Sequence, residues 1–164
     1  MNPCPCGYAG AQPESTCTCP PPVVERYARR VSGPLRDRID LWVTMPRVPS
    51  AVLVETREPE DSVVVAVRIA AARRVAIARS SGILNGRLRG RSLRHACRLT
   101  GAATHRLIGL AEMEGASGRG TERLLRVART IADLGGQEAV GPDHLEEAAW
   151  FRMPDARAVG ALAS

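Results

Sequence analysis

One segment of this chain alternates like a β-strand, and it limits what the chain can fold into more than any other feature. In "RIDLWVTM" (38–45), Ile39, Leu41 and Val43 fall on one face, the period-two pattern of a half-buried strand. A lone strand leaves its backbone groups without a ladder, and no other segment here reads as its neighbour. The remaining pattern is helical. Aromatics are only 3% of a chain that is 45% hydrophobic, so the core must come from Val, Leu, Ile and Ala, which suits packed helices better than a β-sandwich. The expected fold is mostly α, with one orphan strand near 38–45 followed by a helical bundle.

Along the chain, six prolines with Gly7 and Gly10 make 1–22 a loop. A short helix is expected over 22–31, with Pro22 in its first turn and Gly33-Pro34 stopping it. A connector with three prolines fills 46–60. A helix then runs from Asp61 or Ser62 to about Ser80, followed by an irregular link over 81–90. Ser92 is expected to cap a short helix, and Thr100 to start another that ends near 112–115. Ser117 or Thr121 opens a long helix through Leu134. There, Leu124, Ala128 and Ile131 follow a 3–4 spacing, and Leu125, Val127 and Leu134 widen the stripe. The pairs Glu122–Arg126 and Arg129–Asp133 sit four apart and are expected on the face opposite that stripe. Asp143 begins a last helix that Pro154 stops, and 155–164 are expected to fray.

Charge narrows the partners. The net charge is +6 and the pI about 9.7, which favours polyanions, although all 23 basic residues are arginine and part of that reflects compositional bias. The arginines of the 62–80 helix, Arg68, Arg73, Arg74 and Arg79, are expected on a solvated face, with no aromatics interleaved to stack on bases. The longest apolar run, 62–78, is broken by Arg68, Arg73 and Arg74, each costing roughly 2.5–3.5 kcal/mol at a membrane centre. No basic-then-apolar leader is visible. The expectation is a cytoplasmic protein with no membrane contact.

Four cysteines, Cys4, Cys6, Cys17 and Cys19, form C-x-C, a ten-residue loop, and C-x-C again. Four thiolates suffice for a closed tetrahedral zinc site, and a closed site is structural. C-x-C aims two sulfurs at one ion less readily than C-x-x-C, so free or redox-active thiols and a disulfide stay open as readings. Cys97 is expected as a buried small hydrophobe. His95, His105 and His144 read as packing or surface residues, and Met45, Met113 and Met153 as core or helix-end residues.

Two arginines sit where a phosphate could be met. Arg38 occupies a turn just before the strand-like segment, from which a guanidinium could reach across a subunit boundary. Asp37 and Asp40 flank it, so a local ion-pair cluster is the competing reading. Arg119 lies in the Gly/Ser-rich turn of "EGASGRGTERLL" (114–125), where free N–H groups and a helix dipole favour anions. A solvated arginine beside a helix cap is the alternative there.

Taken together, "MNPCPCGY" (1–8), "CTC" (17–19), "YARRVSGPLRDRIDLWV" (27–43), "LLRVARTIADLGG" (124–136) and "HLEEAAWFR" (144–152) resemble, in order, the ComM/YifB branch of the magnesium-chelatase-type AAA+ ATPases. The resemblance implies the end of an AAA+ α/β core, with its last strand, and an α-helical lid. It divides the chain into a cysteine loop (1–22), late core with the finger segment (23–50), lid (51–154) and tail (155–164). Asn2 then matches a sensor-1 residue that orients the attacking water. Arg38 matches an arginine finger, and Arg119 a sensor-2 arginine on the γ-phosphate. Family members form homo-hexameric rings that use ATP and Mg²⁺ to move DNA branch points during recombination of transforming DNA. A chain with no lysine contains no G-x-x-x-x-G-K-[ST] loop, and it has no strand ending in an acidic pair for Mg²⁺. The expectation is a piece of a longer protein, with Met1 an internal position, that does not hydrolyse ATP alone. A non-enzymatic basic module binding DNA or a ring partner, and a magnesium-chelatase ATPase subunit, are the rival readings.

Overall fold

Every regular element among the described residues is helical. The computed structural model describes residues 2–9, 17–36, 38–43, 45, 48, 52, 54, 60–113 and 115–152. It divides into two units, Met1–Arg57 with Met153–Ser164, and Glu58–Arg152. The expected fraying of 155–164, most of the 46–60 connector, and Met153 lie outside the described residues.

In the first unit, α1 (Pro21–Ala28) starts where prolines cost nothing, because the first helical N–H groups have no intrahelical acceptor. A single turn, α2 (Gly33–Arg36), follows. The Ser32 hydroxyl helps to open it by accepting from the Leu35 N–H at 3.4 Å. The expected strand is not there: residues 38–43 and 45 form no strand. Ile39 is half-buried, but Leu41 is 52% exposed, Val43 58% and Met45 83%, so most of the alternating face is uncovered among the described residues and Met45 is no core residue. Alternation marks a surface fit for a sheet, but only neighbouring strands make it one.

The second unit holds α3 (Ser62–Arg79), a 3₁₀ turn (Asn85–Arg87), α4 (Gly90–Cys97), α5 (Gly101–Met113), α6 (Gly118–Leu134) and α7 (Pro142–Trp150). α6 is the axle and touches each of the other helices. Its N-cap is Ser117, whose hydroxyl accepts from the Gly120 N–H at 3.2 Å. Leu124, Leu125, Ala128 and Ala132 are buried against Leu93, Cys97, Leu110, Val140 and Leu145. Each such leucine contributes about 1.5–3 kcal/mol of burial. Leu134, expected in the stripe, is 46% exposed. α3 is capped by Asp61, which accepts from the Val63 N–H at 2.9 Å, and buries only Ala76.

Three polar expectations are overturned. Arg129 and Asp133 face the interior: their side chains are 0% and 1% exposed and meet at 3.0 Å. Arg79 is not solvated either. It crosses from α3 to Asp133 at 2.7 Å, and Asn85 donates to the same carboxylate at 2.7 Å. A spacing of four brings the two side chains together whichever way the face points, so the pair alone does not reveal its side. Ser92 is not a cap. α4 begins two residues earlier, where the Glu122 carboxylate of α6 accepts from the Gly90 N–H at 2.8 Å, and Ser92 donates to the Arg89 carbonyl.

The buried carboxylate sets an acid limit. Burial raises the Asp133 pKa, but hydrogen bonds from Arg79 and Asn85 and the charges of Arg129 and Arg79 outweigh it and hold it below the ordinary 3.8. A folded-state pKa below the unfolded value contributes stability that is complete above the unfolded value and is lost as pH falls through the folded one. Thermal melts should therefore show the second unit level down to about pH 4 and weaker below it. Asp133→Asn should flatten much of that acid limb, and an unchanged limb in the variant would remove Asp133 from this role.

Candidate functional site

The first unit is built around sulfur. Residues 4–7 turn back with the Gly7 N–H donating to the Cys4 carbonyl at 3.1 Å, and Gly7 takes φ +86°, which a side chain would strain. The Ala9 N–H then donates to the Cys4 thiol at 3.3 Å. Cys4, Ala9 and Val24 of α1 are buried together, with Cys6, Cys17 and Cys19 packed around them. Cys4 Sγ lies 3.2 Å from Cys6 Sγ and 3.6 Å from Cys17 Sγ, and all four sulfurs fall within 4.8 Å of one another. These are free thiols, far longer than a bond of about 2.05 Å. A tetrahedron with zinc–sulfur distances of about 2.3 Å has edges of about 3.8 Å, so the donor set fits zinc with no open position.

Proton competition in the cluster points the same way. Burial pushes the Cys4 thiol up, but hydrogen bonds from Cys6, the Ala9 N–H, Cys17 and Gly7 bring it down to about 6. The Cys19 backbone lowers Cys17, yet desolvation and the thiols of Cys4, Cys6 and Cys19 drive it to about 12. Four sulfurs this close cannot all be thiolates without a cation, and a divalent ion removes that conflict.

The residues expected to meet a nucleotide are divided between the units. Asn2 is exposed at the start of the cysteine loop, its amide beside Gly7, where a Cβ would come 3.6 Å from Asn2 Nδ2. Arg38 is exposed in the turn after α2, its N–H donating to the Leu35 carbonyl at 2.9 Å. Asp37, expected beside it, lies outside the described residues. Arg119 is the second residue of α6 and exposed. The four cysteines are thus the one set of expected site residues that the fold gathers at a single point.

Sequence reasoning missed how the first turn of α6 is held. Arg152, at the end of α7, donates to the Gly120 carbonyl at 2.7 Å. A Cβ on Gly120 would come 3.2 Å from its Nη2, a tight contact that a larger residue there would ease only by shifting the guanidinium. The motif "HLEEAAWFR" contained the residue but gave no sign that its last arginine braces the turn carrying Arg119. His144, read as a packing residue, caps α7 by accepting from the Gly141 N–H at 2.9 Å. Cys97 is buried as expected, and burial pushes its thiol up to about 11, so it is a packing group. A groove of about 270 Å³ between α3 and α6 is walled by Ile69, Ala72, Ala76 and Leu134. Its floor, Asn85 and Asp133, is already bonded to Arg79. No helix among the described residues is long and apolar enough to cross a membrane.

Comparison with known proteins places both units. Residues 59–152, more than half of the chain, match the family described as magnesium chelatase, subunit ChlI C-terminal, and residues 1–53 match magnesium chelatase, subunit ChlI. A protein named YifB from Escherichia coli is 37% identical over 156 residues, covering 94% of this chain and 30% of the relative. Competence protein ComM from Haemophilus influenzae is 33% identical over 154 residues, covering 93% and 29%. An uncharacterized protein from Mycobacterium tuberculosis is 37% identical over 159 residues, covering 95% and 31%. The chain thus spans about a third of the length of the relatives it matches.

Proposed function

Because this chain belongs to the magnesium-chelatase ChlI family, on the branch of YifB and ComM, we propose that it supplies the phosphate-sensing and subunit-bridging end of a ring-forming, ATP-driven DNA remodeller. The observation that carries this reading is the setting of Arg119. It is exposed on the first turn of α6, and that turn is fixed by the Ser117 cap and by Arg152 on Gly120. The braced helix start fixes where Arg119 leaves the backbone, and its planar fork suits a bidentate phosphate contact. Arg38, exposed on a turn, is the partner that reaches a neighbouring subunit of a homo-hexamer, where its charge answers the charge developing on the transferred phosphoryl group. Asn2 is the candidate for orienting the attacking water.

These 164 residues contain no lysine and therefore no P-loop, so in this reading the nucleotide cradle and the acidic pair for Mg²⁺ are supplied from outside them. Zinc in the four-thiol site would offset half of the thiolate charge and fix the loop that carries Asn2. That role is structural, since four thiolates leave no position for substrate.

Arginine variants of the full-length protein test this. Arg38→Ala should reduce ATP hydrolysis by on the order of 10³-fold while ATP still binds, as expected for a finger residue. Arg119→Ala should lose hydrolysis as well. Mixing Arg38→Ala with a P-loop variant should restore part of the turnover, because each supplies what its neighbour lacks. Normal turnover in either arginine variant would reject its assignment, and no recovery on mixing would reject action across the boundary.

A further inference from the structure

Arginine is concentrated in one stretch of the second unit. Residues 62–111 hold ten arginines and no aspartate or glutamate, a local charge of +10 against +6 for the whole chain. Half of them are engaged. Arg79 is buried on Asp133, and Arg106, Arg68 and Arg98 pair with Glu146, Glu60 and Glu138. Arg89 folds onto the carbonyls of Gly86 and Leu88. Arg87, Arg91 and Arg94 surround the start of α4; all three are exposed, and none makes an ion pair among the described residues. Arg73 and Arg74 are likewise exposed, on α3.

α4 has reason to hold its arginines outward. Leu93, Ala96 and Cys97 are buried on its inner face. Arg91 and Arg94 therefore stand on the outer one, about 4.5 Å apart along the axis, with Arg87 just before them. Duplex DNA offers one phosphate per 3.4 Å of axis on each strand, so a short arginine row can meet several.

The stretch also says what it does not bind. No phenylalanine, tyrosine or tryptophan lies between Val43 and Ala149, so the patch lacks the large platforms on which single-stranded bases stack. Leu88 and Leu93 face the core, so the patch has no bulky apolar side chain of its own to insert into an acyl layer. We infer that Arg87, Arg91 and Arg94 form a docking face for the phosphate backbone of duplex DNA, bound without regard to sequence. The inference rests on the DNA-remodelling reading only for its choice of polyanion.

The test is fluorescence anisotropy of the 164-residue chain with a labelled 20-base-pair duplex across a salt series. The triple variant Arg87→Gln/Arg91→Gln/Arg94→Gln should bind at least about tenfold more weakly at low salt, with its log–log salt slope shallower by about 2–3. Arg73→Gln/Arg74→Gln, on α3, should leave the slope within about 0.5 of the parent's, showing that position rather than total charge matters. All five residues are exposed, and circular dichroism checks that both variants fold. An unchanged slope in the triple variant would overturn the proposal, as would an equal loss per charge in the control. Tighter binding to a single strand or to phosphatidylserine vesicles than to the duplex would also overturn it. The two readings fail separately. ATP hydrolysis without DNA by the full-length triple variant should stay at the parent level, whereas Arg119→Ala should lose hydrolysis yet leave duplex affinity of the 164-residue chain unchanged.

Discussion

Asp133→Ala is expected to destabilise the Glu58–Arg152 unit by about 3–5 kcal/mol, the cost of leaving buried charge without its counterion. Two guanidiniums converge on that carboxylate: Arg129 from one turn earlier on α6 and Arg79 from α3. Arginine does not escape by losing its proton. Burial does pull the Arg129 pKa down, but guanidinium remains charged at any working pH. The Nε atoms of both arginines already lack an acceptor among the described residues, so neither has a spare partner to turn to. Asn85 would lose an acceptor at the same time. A urea titration measures the loss. The exposed pair Arg98–Glu138 is the internal control, with side chains 57% and 88% exposed. Glu138→Gln should change stability by less than about 0.5 kcal/mol, as surface pairs do. If Asp133→Ala cost no more than Glu138→Gln, the interior network would not be what holds α3 to α6.

Purified under reducing conditions, the chain is expected to carry one equivalent of zinc and to lose it on Cys4→Ser. Cys4 is the sulfur to remove because it is fully buried, touches two of the other thiols and accepts from the Ala9 N–H. The metal should matter greatly for folding. The buried residues described in the first unit are Cys4, Ala9 and Val24, too few to hold a loop rich in proline. Structural zinc contributes apparent binding energies of about 10–16 kcal/mol in small peptides at neutral pH, and where no site exists without the fold that energy becomes folding energy. Chelator treatment should therefore open the first unit to protease while the second keeps its melting temperature. Cys97→Ser, in the second unit, should retain the metal. Protein with no metal, or Cys4→Ser that keeps a full equivalent, would reject the site.

The axle helix was legible because its signals are local. Ser117 caps within three residues, and Leu124 with Ala128 follows the helical period. The four cysteines were legible as a set, although their C-x-C spacing left zinc, free thiols and a disulfide all open, and only the fold brings the sulfurs together. What escaped depended on residues far apart in sequence. Arg79 and Asp133 are 54 positions apart, Gly90 and Glu122 are 32, and Arg152 and Gly120 are 32. An arginine four residues from an aspartate has the same pattern whether water or the Ala96 carbonyl lies beyond it. The strand-like alternation of Ile39, Leu41 and Val43 misled for the opposite reason: the pattern is local, whereas a sheet is not. The arginine excess is visible in composition, but which arginines are free is not: on α3 Arg68 and Arg79 are engaged, whereas Arg87, Arg91 and Arg94 near the start of α4 are exposed.

Arg129 also joins the second unit in time. Its guanidinium donates to the carbonyls of Ala96, Gln137 and Glu138 at 3.3, 2.5 and 2.7 Å, on the end of α4 and the link before α7. Neither segment can open without breaking bonds to the same buried group. Their amides should exchange with solvent together with those of α6, at one shared opening free energy close to that of global unfolding. The last turn of α4 and the 137–138 link thus belong kinetically to the axle, although one lies at a helix end and the other is a loop.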